Sequence, residues 1–464
     1  MLNRRDFLKA GTGLIAAALV PYENAMARQF MPAYSIGDSY EHLINHVFLV
    51  TQKISHKNSR IEQADTLAVF CAKRGYGRKA VEILNDSKNL VQKLHSNSLI
   101  ESAKAYCYID KYELAHKAVY DARQNLFDGN KDRYNAAAIA HIEHYYYDDV
   151  IEIARILIKK NNKDMALALL EDTLMYSSNG LLFPADNRLI KLIAEAYCDI
   201  GQHNKAEEIA DRIIAEYTVY SGYAFYSDRN KINALAYIAG SYADIGRSGR
   251  AYELLDKISR LSETKSREVI TAYAKLKEWE KAMSMSLVKE DECVMCAMID
   301  CPYIAIARQA VLSKRYDVAE MALNSAIKAV EEHDDLGLTG VYLLIETADI
   351  FLSIGSADKA ISLLNHTIEL LSANKEEDIH PLDYAFILPK IAVVWIKSGN
   401  INKGMRLLHE AFEDIIALDD AYDKSEALLK TAKAYIDNNI AIKEKEREIL
   451  KRIVDSCKEE TYDT

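Results

Sequence analysis

The chain has 464 residues, with 58 Lys and Arg against 69 Asp and Glu, a formal charge of −11. It carries no basic tract, which excludes the electrostatic footprint of a nucleic-acid-binding surface. Half of its residues are hydrophobic, and only 6 prolines and 17 glycines occur, a composition suited to long helices with a substantial buried core.

The chain opens on Asn3-Arg4-Arg5-Asp6-Phe7-Leu8-Lys9, paired arginines followed by Phe, Leu and Lys. The apolar run from Ala10 to Val20 is too short to span a bilayer as a permanent anchor, and Ala25-Met26-Ala27 supplies a small-x-small cleavage site ahead of Arg28. The arrangement resembles the twin-arginine (Tat) export signal of bacteria, a route that carries folded proteins. It implies a signal peptide over 1–27 and passage through the Tat translocase. A periplasmic or extracellular destination follows, with no stable transmembrane anchor after cleavage. No Cys follows the apolar run, so lipid attachment is not expected.

Residues 28–59 read as a lead-in with a first helix near Tyr40 to Ser55. His42 and His46 stand i, i+4 on it, a spacing that can grip a metal. Without a third ligand, a packed or solvated pair is the expectation, and no metal is implied.

From about residue 60 to 450 one pattern recurs, and it is clearest over Leu235 to Ile258. There two amphipathic helices flank a turn at Asp244-Ile245-Gly246-Arg247. Copies align on turn positions Gly75, Asp110, Asn161, Gly201, Gly246, Lys277, Lys314, Gly355, Gly399 and Asn439. Seven residues before the turn stand Ala68, Ala103, Ala154, Ala194, Ala239, Ile270, Ala307, Ala348, Ala392 and Ala432. Five after it stand Ala80, Ala115, Ala166, Ala206, Ala251, Ala282, Ala319 and Ala360, then Gly404 and Glu444. Two helices that cross closely need a small side chain at the contact. Four before the turn the chain mostly places a large packing residue, such as Tyr106, Tyr197, Tyr242, Phe351, Trp395 and Tyr435, with Ala310 the exception.

This Ala, Tyr, Gly, Ala spacing resembles the tetratricopeptide (TPR) repeat. Successive turns lie 31 to 51 residues apart, wider than the family's period of about 34. The family's proline after the second helix is generally missing, and its first-helix Trp is absent. The resemblance implies an all-α, right-handed αα-solenoid of about ten TPR-like helix-turn-helix repeats over 60–450, with 451–464 a charged C-terminal tail. It further implies a concave groove lined by the first helices, which holds a protein or peptide partner. Carried over residue by residue, the groove positions are Lys104 and Tyr108, Arg155 and Lys159, then Arg188, Lys191 and Glu195. Later copies offer Ile304, Arg308 and Leu312, then Tyr342, Ile345 and Asp349. The N-terminal half leans basic, so an acidic peptide or a carboxylate terminus would suit it.

Two long intervals hold tyrosine-rich stretches, His141 to Asp149 and Tyr217 to Ser227, which either pad the helix pairs or form a contact surface. Of the 7 cysteines, Cys71, Cys107 and Cys198 fall near turns as small buried hydrophobes. Cys293-Val-Met-Cys296-Ala-Met-Ile-Asp-Cys301 is the one constellation with chemistry to offer. It reads as structural thiols, a redox pair or, less simply, a metal site lacking a fourth ligand. A redox or metal-carrying accessory protein is therefore the rival to a binding scaffold. No hydrolase, phosphate-loop or zinc-protease motif appears, so neither enzymatic activity nor a cofactor is expected.

Overall fold

The computed structural model describes residues 37–90, 96–127, 136–178, 187–219, 228–261, 266–286, 301–332, 337–373 and 381–457. The export signal, Cys293, Cys296 and most of the Tyr217–Ser227 stretch lie outside them, as do the side chains of His141, Glu143, His144, Arg188 and Lys191. Among the described residues every regular element is a helix. An inner layer consists of α2 (Lys57–Lys73), α4 (Ser96–Tyr108), α6 (Ala136–Lys159), α8 (Asn187–Ile200), α10 (Asp228–Asp244), α12 (Arg267–Lys275), α14 (Pro302–Leu312), α16 (Gly337–Ser353), α18 (Pro381–Lys397) and α20 (Ala421–Asp437). The outer layer holds α3 (Gly77–Leu90), α5 (Tyr112–Phe127), α7 (Lys163–Ser178), α9 (His203–Val219), α11 (Ser248–Leu261), α13 (Trp279–Met285), α15 (Tyr316–Glu331), α17 (Ala357–Ala373) and α19 (Ile401–Ala417). Two terminal helices join it, α1 (Gly37–Gln52) and α21 (Glu444–Asp455).

The repeat register follows from one local device. All ten turn positions take positive φ, from 53° at Asn439 to 88° at Gly399. At each, the turn N–H donates to the carbonyl three residues back, and the next N–H donates to the carbonyl of the residue four before the turn. Gly246 N–H thus meets Ala243 O at 3.1 Å, and Arg247 N–H meets Tyr242 O at 2.8 Å. This paired closure satisfies carbonyls that a helix end would otherwise leave orphaned. The same following residue opens the outer helix: Arg247 O accepts from Ala251 N–H at 3.2 Å. A one-residue hinge therefore fixes each hairpin, and the small residues on both sides of it are fully buried, Ala239 and Ala251 among them at 0% exposure. Gly404 takes the second small position where even a methyl would collide; a Cβ there would lie 2.7 Å from Ala392 O.

The tenth turn behaves differently, and its sequence shows why. Glu444 stands where the other copies carry Ala or Gly, and a charged side chain cannot enter that close contact; it is exposed. Helix α21 starts at Glu444 rather than two residues after the turn, and packs on α19 and α1. The place beside α20 is taken by α1, which packs on α20, α21 and α2. Each inner helix touches the inner helices before and after it, and α20 touches α2, so the solenoid closes on itself as a ring.

The seam joins residues from opposite ends of the chain. Thr51 Oγ1 and Ser425 Oγ share a buried hydrogen bond of 2.8 Å across 374 positions. Arg74 donates to Asp437 at 2.5 Å, and Lys433 Nζ sits 5.7 Å from the Phe70 ring centre. Tyr40, Leu43, Ile44, Val47, Phe48 and Val50 of α1 are all buried. The lead-in helix is thus the outer partner of the last inner helix.

Candidate binding face in the lumen

Within the inner layer the positions two, six, nine and thirteen before each turn stay off the hairpin interface and face the ring's interior. Ten helices at a spacing of about 9 Å describe a circle of axes about 15 Å in radius, which leaves an opening on the order of 20 Å. Water reaches this face: Lys159, Asp199, Arg308 and Lys390 are exposed. Burial nonetheless raises the Asp199 carboxyl above its usual range, against the Tyr237 hydroxyl at 3.0 Å and the nearby Arg155. A group that is solvated yet crowded by protein on most sides belongs to a concave wall.

The wall is laced by ion pairs between neighbouring inner helices. Lys104 on α4 is 8% exposed and reaches Asp149 at 2.8 Å and Glu152 at 2.7 Å on α6, with Glu101 at 2.7 Å on its own helix. Burial would lower its affinity for a proton, but the carboxylates, Glu101 foremost, hold it strongly cationic. Arg155 on α6 pairs with Glu195 on α8, with Asp199 at 3.9 Å. Lys275 joins Asp244 at 2.7 Å, Arg308 joins Glu346 at 2.6 Å, and Lys397 joins Asp349 at 2.8 Å. Of the groove positions carried over from the repeat pattern, Lys104, Arg155 and Glu195 are thus engaged in the wall itself. Tyr108 is half-buried and Lys159 is exposed. The basic lean of this half is met on the spot by acidic neighbours two repeats of sequence could not place beside it.

A cavity of about 310 Å³ opens on the same face between α12, α14 and α16, lined by Arg267, Cys301, Ile304, Arg308, Tyr342 and Glu346 among others. Cys301 caps α14, whose first residue is Pro302, and is 5% exposed. Burial pushes its thiol up, against backbone N–H groups of Ile304 and Tyr303 that favour the thiolate. Burial likewise pushes the thiols of Cys71, Cys107 and Cys198 up to about 12. Such thiols are inert at neutral pH. Among the described residues no three His, Cys, Asp or Glu side chains converge as a metal site. The His42 and His46 rings lie 4.3 Å apart between centres, tilted by 35°, and His46 Nδ1 bonds the His42 carbonyl at 2.9 Å.

Sequence reasoning missed Lys390, Lys430 and Lys433, which occupy the same lumen-facing positions in the last two repeats. The repeat frame extended to the C-terminus would have located them. What it could not show is that aromatic rings on adjacent inner helices, Tyr342, Phe386 and Phe70, stand against their ammonium groups.

Residues 1–21 match the family model for the TAT (twin-arginine translocation) pathway signal sequence. No curated protein sequence matches the chain. Solved structures with similar arrangements include the apo form of RapI, at 13% identity over 76% of this chain and 98% of that one, TM-score 0.27. A circular tandem repeat protein aligns at 14% identity over 90% and 96%, TM-score 0.24. The maize pentatricopeptide repeat protein PPR10 aligns at 12% over 85% and 65%, TM-score 0.23. No helix of the described residues is long and apolar enough to cross a membrane. The chain is an all-helical αα-solenoid that carries a twin-arginine signal for export across the membrane.

Proposed function

We propose that the protein is a non-enzymatic scaffold, exported by the Tat translocase, whose lumen holds a protein or peptide partner. The observation that supports this reading best is the cavity between α12, α14 and α16, which opens on the inner face and combines guanidinium groups with apolar walls from Ile304 and Leu343. Its lining is mixed, with Arg267, Arg308 and Glu346 beside Ile304, Tyr342 and Leu343, and offers a peptide both charged and apolar contacts. An opening on the order of 20 Å accommodates an extended segment or a single helix, about 10–12 Å across. The groove residues Lys104, Tyr108, Arg155, Lys159 and Glu195, with Arg188 and Lys191, would form one wall of the path. Lys159 offers the exposed cation there, while Lys104 and Arg155 would hold that wall in shape.

The test places a photo-crosslinking side chain at Leu312 or Lys159, both exposed on the inner face, or at Met321, exposed on the outer helix α15. Each variant is expressed with its signal in the native compartment. A discrete adduct from the two inner positions and not from Met321 is expected. Adducts from Met321 alone, or from none of the three, would refute a lumenal partner.

A further inference from the structure

Around the ring inner-face cations meet carboxylates on an adjacent inner helix, as Lys104, Arg155, Lys275, Arg308 and Lys397 do, and Arg74 just past the end of α2 meets Asp437 on α20. Between α16 and α2, beside the pairs Lys397–Asp349 and Arg74–Asp437, three further lysines meet aromatic rings on the adjacent inner helix instead of a carboxylate. Lys390 Nζ stands 4.2 Å from the ring centre of Tyr342 on α16, and Lys430 Nζ 3.0 Å from that of Phe386 on α18. Lys433 Nζ stands 5.7 Å from that of Phe70 on α2. Among the described residues neither Lys390 nor Lys433 has a carboxylate within ion-pair distance, and Lys430 reaches only Glu426 on its own helix, at 3.0 Å. An aromatic face attracts an ammonium but adds no negative charge, so Glu426 on Lys430 and the more distant Glu346 and Asp437 are left to offset Lys390, Lys430, Lys433, Lys73 and Arg74 together.

Lys430 stands close enough to act on both of the others. Lys390 holds its proton less firmly than usual, first through burial and then through Lys430, opposed by Glu346 on α16. Lys433 does likewise, through burial opposed by Asp437, then through Lys430, Lys73 and Arg74. Lys430 and Lys433 share a face one turn apart on α20, and Phe386 and Lys390 share a face of α18. The aromatic rings act as seats that hold three ammonium groups on one stretch of lumen wall.

We propose that Lys390, Lys430 and Lys433 form a binding site for a multiply charged phosphate oxyanion, either free orthophosphate or a short polyphosphate chain. Ammonium groups are compact point charges, each with three donors, that approach a tetrahedral oxyanion from several directions, and an anion carrying two or more charges gains most from three of them together. A di- or trivalent anion supplies negative charge beyond what Glu346, Glu426 and Asp437, the first and last of them shared with Arg308 and Arg74, give to this stretch. The site is independent of any protein partner in the lumen.

The test is calorimetric titration of the full mature chain with orthophosphate and with tripolyphosphate at low ionic strength. Binding of either is expected; orthophosphate binding assigns the free anion, and binding of tripolyphosphate alone assigns the chain. The double variant Lys390→Gln, Lys433→Gln should lose roughly a hundredfold in affinity, about tenfold per ammonium removed. Lys390→Arg, Lys433→Arg should retain binding, and Lys328→Gln, exposed on the outer helix α15, should leave it unchanged. Absence of binding by the native protein, or equal binding by the double glutamine variant, would overturn the assignment. A double glutamine variant that did not fold would leave the charge-preserving pair to decide, since a site built on these charges must survive it.

Discussion

Closure of the ring makes a prediction that an open solenoid does not. Leu43 on α1 is 0% exposed at the seam with α20 and α21. Truncation to Ala removes a buried isobutyl group from a site that cannot collapse freely, a loss of about 3 kcal/mol. If the seam is the weakest interface, that energy appears as local opening, and a change of about 3 kcal/mol raises the open population roughly a hundredfold. The opening involves both ends of the chain, because α1 covers α20 and α21. Hydrogen exchange on Leu43→Ala should therefore lose protection at residues 40–52 and, to a similar degree, at 421–455. Helix α10, across the ring, should keep its protection. Faster exchange confined to α1 and α2, with 421–455 unchanged, would refute the closed ring. Uniform loss across all helices would show instead that the seam does not open separately from the rest.

Asp65, 1% exposed, accepts a hydrogen bond from Ser98 at 2.5 Å, and burial pushes its carboxyl up to about 7. A raised carboxyl contributes stability below its unfolded value near 4 and loses it as pH rises through 7. Asp65→Asn, which keeps the acceptor, should thus stabilise the protein above pH 7 by at most about 4 kcal/mol, with little gain at pH 4. A melting-temperature difference that is equal at both pH values would refute this. At the turns, Lys277 has φ +65°, so Lys277→Gly should stabilise by about 1 kcal/mol, whereas Gly246→Val at φ +77° should destabilise by about 1–2 kcal/mol in denaturant titrations. Gly404→Ala places a methyl 2.5 Å from Ile396 Cγ1 and 2.7 Å from a backbone carbonyl, and should cost about 1–3 kcal/mol although Ala fits the equivalent site in eight other repeats.

The hairpins were legible in the sequence because every feature that makes them is local. A left-handed residue, a large side chain four before it and small ones on either side lie within thirteen positions, and each copy can be recognised alone. The twin-arginine signal is legible for the same reason. Lys104 and Arg155 show the limit: their lumen-facing positions follow from the repeat, but the carboxylates that engage them stand 45 and 40 positions away, in the next repeat. Cys301 was read within its Cys293–Cys296 constellation, whereas its own burial at the cavity depends on how α12, α14 and α16 pack.

Tertiary structure alone decided the ring. Nothing near Gly37–Gln52 announces that this helix will stand beside α20, and nothing near Ser425 names Thr51 as its partner. The one local hint is Glu444, whose charge keeps α21 out of the slot that α1 fills. Whether two ends of a solenoid meet depends on the small rotation added at each hairpin, accumulated over the whole chain. The sequence sets each step through its turn and its contact residues, and only the sum of those steps brings the ends together and turns an open groove into a lumen.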